Sequence, residues 1–314
     1  LTHICHASHY FSIWYFCYCY CYFLLFLIYI NDLPTVINSS IKLFANDCVL
    51  YCKITNQHDN VILQSDLDNI SKWCSQWLMF LNPINCKIMS FSRRSGSSAS
   101  FGYTVNNINL DYVTSYKYLG IQLTNNHSWH ARIEYITNNS NRSLGYLCKN
   151  FCKAPYHLKL MLYKTLIRPK LEYASPVWDP GQKTLSAIIE SVQNRSARFI
   201  NSNYTRTSSV SLMKSNLGLI DLQIRRKISR LCLFHKILYQ NNSLKQELIS
   251  QPSYISSRLD HQYKVFIPFC RTNVFSDSFL PKTSAEWNQL PPSIASIEDV
   301  SSFKTALTDH ILRV

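Results

Sequence analysis

The sequence predicts an α+β chain: a small antiparallel sheet with helices packed on one side, followed by a mainly helical remainder. Three patterns carry that expectation. Residues Lys42–Cys52 hold two short apolar runs about an Asn-Asp pair, the mark of a hairpin. Leu63, Leu67, Ile70, Cys74, Trp77 and Leu81 recur at helical spacing and suit a helix laid on one face of a sheet. Trp129, Ile133, Ile136, Leu144, Leu147 and Phe151 then mark a second, longer amphipathic helix.

Taken in order, residues 1–22 fit none of these patterns. After Phe16, residues Cys17 to Tyr22 alternate Cys and Tyr, a simple repeat without helical periodicity, and the segment is expected to lie outside the fold. Phe11 to Ile30 carries no charge and is long enough to cross a bilayer, so a membrane anchor and a buried helix in its second half both stay open. No basic segment precedes it, as a signal peptide would require. In the hairpin, Phe44, Val49 and Tyr51 are strand formers, while Asn46 and Asp47 are turn formers. An acidic hairpin tip can hold divalent metals for phosphoryl transfer; an Asn-Asp pair alone is only a turn. On the helix that follows, Asp66 and Asp68 are read as lying off the apolar stripe. Arg93 to Ser100 is a polar, Ser-rich linker, and Val105 and Ile108 flank Asn106-Asn107, a further hairpin signal.

Composition narrows the function classes. A chain of 314 residues can bury a good core in two or three lobes. Six glycines, with no P-loop and no dinucleotide fingerprint, speak against a Gly-rich nucleotide cradle. The twelve cysteines are mostly single residues in apolar runs, such as Cys48, Cys74 and Cys232, as expected of buried thiols in a reducing compartment, cytoplasm or nucleus. Cys148 and Cys152 share a helix face, and His3, His6 and His9 lie near Cys5, but neither set has zinc spacing.

The net charge of +14 is unevenly spread. Residues 1–125 carry seven Lys/Arg against six Asp/Glu; residues 126–200 carry eleven against four, and 201–314 fourteen against eight. Arg195 and Arg198 can share a helix face beside Val192 and Phe199. Arg225, Arg226, Lys227 and Arg230 flank an apolar stripe of Ile224, Ile228, Leu231 and Leu238. A basic half of this kind is expected to bind a polyanion.

Several blocks, in order, resemble reverse transcriptases of retrotransposons without long terminal repeats. Leu24 to Pro34 is similar to that family's "LLFxxYINDLP" stretch, and Lys42–Cys52 to its Phe-Ala-Asp-Asp hairpin. Trp73 to Phe91 resembles its block of helix, Asn-Pro turn and strand, and Tyr116 to Ile121 its "YLG" hairpin. Tyr163 to Trp178 resembles "YKTLVRPxLEYASxVW", and Val192 to Phe199 resembles "VQRRAARF". Ser278 to Thr283 with Trp287 to Pro291 is similar to the terminal block. The resemblance runs from about Phe23 to Phe303. It implies a partial polymerase palm over 23–125, a thumb-like helical region over 126–200 and a helical C-terminal region over 201–314, after an unmatched segment, 1–22.

By the same resemblance, Asp47 is the surviving member of the metal-binding acidic pair. Tyr118, Leu119 and Gly120 would form the hairpin that grips the primer. Mg²⁺ would be the cofactor of active relatives, and an RNA/DNA duplex the partner of Arg195 and Arg198. No small-molecule cofactor is implied, and a membrane partner is not favoured. Three departures predict an inactive polymerase fragment. The first hairpin carboxylate is Asn46, a poorer ligand for a hard cation. The family's Lys before the Cys of the Asn-Pro block is Asn85, and alternation points nearby Lys87 the opposite way from its predecessor. The aspartate-bearing palm strand is expected to be missing, since 23 residues precede Leu24. A non-enzymatic nucleic-acid-binding protein, or a protein anchored through 11–30, are the alternatives.

Overall fold

The structure, a computed structural model, describes residues 2–8, 19–92, 101–256, 258 and 260–313, with the side chains of all these except 2–8 and 19–23. The chain is α+β and divides into two compact units, residues 1–128 and 129–314.

Alternation builds the first unit. In β3 (Asp47–Lys53), Cys48 and Leu50 are buried while Asp47, Val49 and Tyr51 are half-buried on the opposite face. This strand pairs with β2 (Ser40–Phe44) on one side and β1 (Thr2–Ser8) on the other. Beyond β1 lies β4 (Lys87–Phe91), antiparallel to it, and then the two-residue β7 (Asp111–Tyr112), parallel to β4. The order is β2-β3-β1-β4-β7. Two hairpins follow the Asn and Gly turn signals: β5 (Thr104–Val105) to β6 (Ile108–Asn109), and β8 (Ser115–Tyr118) to β9 (Ile121–Thr124). Asn106 and Asn107 in one turn, and Leu119 and Gly120 in the other, all have positive φ, as a two-residue turn matched to strand twist requires.

The buried face is covered by α2 (Gln57–Gln76), which contributes Leu63, Leu67, Ile70, Trp73 and Cys74 to a core with Cys48, Leu50 and Ile88. Asn56 and Asp59 close its N-terminus as a capping box. Trp77 caps the other end and is 40 % exposed, so the helix stops before the last two residues of the expected stripe; Leu81 reaches the core from the following turn. Helix α1 (Cys19–Ile30) buries Ile30 and sets the Tyr29 ring edge-on to Trp77, with centroids 4.8 Å apart.

Residues 1–22 do not stand outside the fold as expected. Thr2–Ser8 is an interior strand, and Cys19 to Tyr22 is already helical. Pattern reading missed β1 because its partners lie about 45 and 85 residues away in sequence, and strand pairing is not written in the strand alone. Residues 9–18, with Cys17 and Tyr18 of the Cys-Tyr repeat, and the linker 93–100 lie outside the described residues. Among the described residues no helix is long and apolar enough to cross a membrane.

The second unit is helical. Its long members are α3 (His130–Asn150), α7 (Lys183–Ile200) and α9 (Leu222–Gln240), joined by the shorter α4 (Tyr156–Leu162), α5 (Arg168–Glu172), α6 (Ser175–Trp178) and α8 (Val210–Asn216). Then come α10 (Asn242–Leu248), α11 (Asn273–Ser276), α12 (Phe279–Asn288), α13 (Pro292–Ala295) and α14 (Val300–Arg313). Helix α7 packs on both α3 and α9. Phe234, Trp287, Phe303 and Leu307 form the centre of the C-terminal core.

Candidate functional site

Phe44 pairs with Asp47, so the connecting residues of the β2–β3 hairpin are Ala45 and Asn46, with Ala45 in the left-handed region at φ 51°. The turn thus lies one residue earlier than the Asn46-Asp47 tip expected from the sequence, and Asp47 is the first residue of β3. This register sets Leu43 against buried Cys48 and Ile41 against Leu50. Burial, with smaller contributions from Cys74, Cys86 and Asp47, pushes the Cys48 thiol up to about 12, so it stays protonated.

Tyr118, the last residue of β8, lies within electrostatic reach of Asp47. Burial raises its phenol first, and the Asp47 carboxylate and Cys48 raise it further. Leu119 and Gly120 make the adjoining turn. Between this hairpin and the sheet is a cavity of about 160 Å³, lined among others by Val49, Lys87, Met89, Phe91, Tyr116 and Tyr118. Lys87 belongs to this face as alternation requires, since Cys86 before it is fully buried; its Nζ donates to Asp111 at 2.7 Å.

The carboxylate chemistry at this place is thin. On its free side β3 pairs with β1, Ser8 opposite Asp47, and Thr-His-Ile-Cys-His-Ala-Ser holds no acidic residue. Among the described residues, no three His, Cys, Asp or Glu gather closely enough to hold a metal ion. A pair of divalent cations needs bridging carboxylates from more than one strand, and the donor set beside Asp47 does not fit one.

Asp66 does not lie off the apolar stripe as expected. It is fully buried and accepts the backbone N–H groups of Asn38 and Ser39 at 2.9 and 2.8 Å, fixing the chain just before β2. The signal was present: Asp66 stands three residues after Leu63 and four before Ile70, on the buried stripe itself.

In the second unit the basic residues divide into two kinds. The three arginines of α9 that the sequence reading placed on a basic face are paired internally. Arg226 and Arg230 are 1 % and 2 % exposed. Arg226 Nε donates to Asp179 at 2.7 Å, and Arg230 bonds both Asp179 and Glu286. Arg225 is held by Glu172, which raises its guanidinium pKa. Their carboxylate partners lie about 47 to 56 residues away in sequence, which is why the stripe looked unpaired.

Arg195 and Arg198 behave differently. Arg195 is exposed and donates to Ser191 Oγ at 3.2 Å; Arg198 donates to the Thr205 carbonyl at 2.8 Å. Neither takes a carboxylate among the described residues; Glu172 is engaged by Arg225 and Glu190 by Lys214 at 2.8 Å. Arg142, Lys149, Lys153, Lys164 and Lys183 have no ion pair among the described residues.

No family model matches the chain, and no curated protein matches it.

Proposed function

We propose that the chain is a nucleic-acid-binding remnant of a reverse transcriptase of the retrotransposon kind without long terminal repeats. In this reading the first unit is palm-like, the helices from residue 129 are thumb-like, and the chain does not polymerise. The ordered sequence blocks support the ancestry. The Asn at 46 and the acid-free strand beside Asp47 support the loss of chemistry. One observation carries the binding function: Arg225, Arg226 and Arg230 of α9 are held by internal carboxylates, whereas Arg142 and Lys149 of α3 and Lys183, Arg195 and Arg198 of α7 have no ion pair among the described residues. Cations left without carboxylates across two packed helices are what a phosphate backbone neutralises.

The test is fluorescence anisotropy of the purified chain with an RNA/DNA hybrid over a salt series. Affinity falls with a slope of roughly −0.7 to −0.9 per phosphate contacted. With about five contacts, raising salt from about 50 to 200 mM weakens binding several hundred-fold. Replacing Arg195 and Arg198 with Gln lowers the slope by about one to two and leaves sequence preference unchanged. Binding that is absent, or indifferent to salt, rules the reading out.

A further inference from the structure

The second unit holds a cleft of about 310 Å³ between α3 and the helical run that ends in α5. A proline stands beside it. Pro169 has no N–H for the Thr165 carbonyl and its ring crowds that carbonyl, and the turn before it, Tyr163–Ile167, is widened to π geometry. Leu166 of that wide turn and Lys170 one turn on line one side, while Arg142, Ser143, Tyr146 and Leu147 of α3 line the other.

The lining has two parts. Lys170 Nζ donates to Ser143 Oγ at 2.6 Å, and Arg142 stands beside that pair. No carboxylate lines the cleft, and neither cation has an ion pair among the described residues. Two uncompensated cations and a hydroxyl make an anion site. Next to it the Tyr146 ring is 65 % exposed and Leu166 is 47 % exposed, above buried Leu147. An exposed aromatic beside a cationic pair is the arrangement on which an unpaired base stacks while its phosphate is held. Arg142, Tyr146 and Lys149, at i, i+4 and i+7, also continue the cationic row along one face of α3.

We infer that this cleft binds an unpaired nucleotide of a nucleic-acid strand, with its phosphate on Arg142, Lys170 and Ser143 and its base on Tyr146. The cleft stands at the lower end of small-ligand volumes, about 300 Å³, room for one nucleotide and not for a base pair. The inference rests on the nucleic-acid reading above but names a different ligand, a single strand, and a different set of residues from Arg195 and Arg198.

The experiment is anisotropy on the full chain with a labelled oligothymidylate and, in parallel, a blunt hybrid duplex. Tyr146→Ala weakens the single strand by roughly 5- to 150-fold, the loss of one stacked base, and changes duplex affinity by less than about twofold. Tyr146→Trp restores the affinity. Arg142→Gln with Lys170→Gln lowers the single-strand salt slope by about one to two. Circular dichroism checks that each variant folds, as the exposure of Tyr146 leads us to expect. Wild-type chain that binds the single strand but ignores Tyr146→Ala overturns the cleft alone, as does an equal loss on both ligands. Wild-type chain that binds neither ligand overturns the cleft and the nucleic-acid reading together.

Discussion

Asp179 and Arg226 form an ion pair inside the C-terminal unit, with Nε donating to the carboxylate at 2.7 Å and the two side chains 7 % and 1 % exposed. Arg230 and Lys282 converge on the same carboxylate, and Arg230 also bonds Glu286. Three cations thus share two carboxylates at a largely buried site. Removing Asp179 leaves buried guanidinium groups facing one another without their common acceptor. Asp179→Asn is therefore expected to cost about 3–5 kcal/mol of stability. Urea titration measures it, with Arg195→Gln, on the exposed face of α7, as a control expected to stay within about 0.5 kcal/mol. Equal midpoints for the two variants would show that the network contributes nothing.

Lys282 gives this network a pH signature. Burial, and next the charge of Arg230, hold its ammonium down to about 8 from an ordinary 10.5, even though it touches Asp179, which the two arginines already saturate. In the unfolded chain the lysine keeps its proton up to the ordinary value. Between about pH 8 and 10.5 the unfolded state therefore binds more protons, and this group makes stability rise with pH. The buried thiols Cys48 and Cys74, pushed up to about 12, act in the opposite direction above pH 9. Comparison of wild type with Lys282→Met cancels the thiols. The expected result is that wild type gains on the variant as pH rises through that window; a difference independent of pH contradicts it.

Asp66→Ala is expected to cost about 2–3 kcal/mol, because the Asn38 and Ser39 N–H groups lose a charged acceptor. Asp68→Ala, two residues on at an exposed position, serves as the comparison and should be nearly neutral. Thermal or urea unfolding of the two variants decides it, and similar losses at both positions count against the buried role.

These residues show what the sequence made legible. Local signals were sufficient wherever the interaction was local. Asn106-Asn107 and the Ala45–Asn46 region gave their hairpins through turn chemistry, and the Leu63, Leu67, Ile70 and Cys74 stripe gave α2. The candidate site was legible in part: Asp47 and Tyr118 were both marked, and the fold brings them within electrostatic reach. What escaped depends on distant partners. The arginines of α9 looked solvated because Asp179 and Glu286 lie far along the chain, and a charge pattern alone cannot distinguish a paired cation from a free one. The α3–α5 cleft escaped for a related reason: Arg142 and Lys170, far apart in sequence, line one cleft only in the folded chain.

On the proposed polymerase ancestry, adding a carboxylate at the hairpin tip should not confer synthesis. Asn46→Asp adds one ligand at an exposed turn position, yet β1 beside Asp47 still offers no acidic residue. Two-metal phosphoryl transfer needs carboxylates from both elements to bridge the ions. Primer extension on a primed RNA template with Mg²⁺ or Mn²⁺ is expected to show no incorporation by wild type or variant. Incorporation that disappears in Asp47→Ala would refute this.

The strand Thr2–Ser8 is expected to be indispensable to the first unit. It forms seven register pairs with β3 and five with β4, so it joins the β2–β3 hairpin to the rest of the sheet. Without it, β3 and β4 would stand about 10 Å apart, two strand spacings, and could not share hydrogen bonds. Their N–H and C=O groups would also become edges open to aggregation. Deleting residues 1–8 should therefore abolish cooperative unfolding of the N-terminal unit. His6→Pro is the finer test, because proline in an interior strand removes a ladder hydrogen bond while keeping the chain length. Hydrogen exchange should show lost protection along β3 and β4 in that variant, with the helices from residue 129 unchanged. Full protection of β3 and β4 in both variants would show that the sheet closes without this strand.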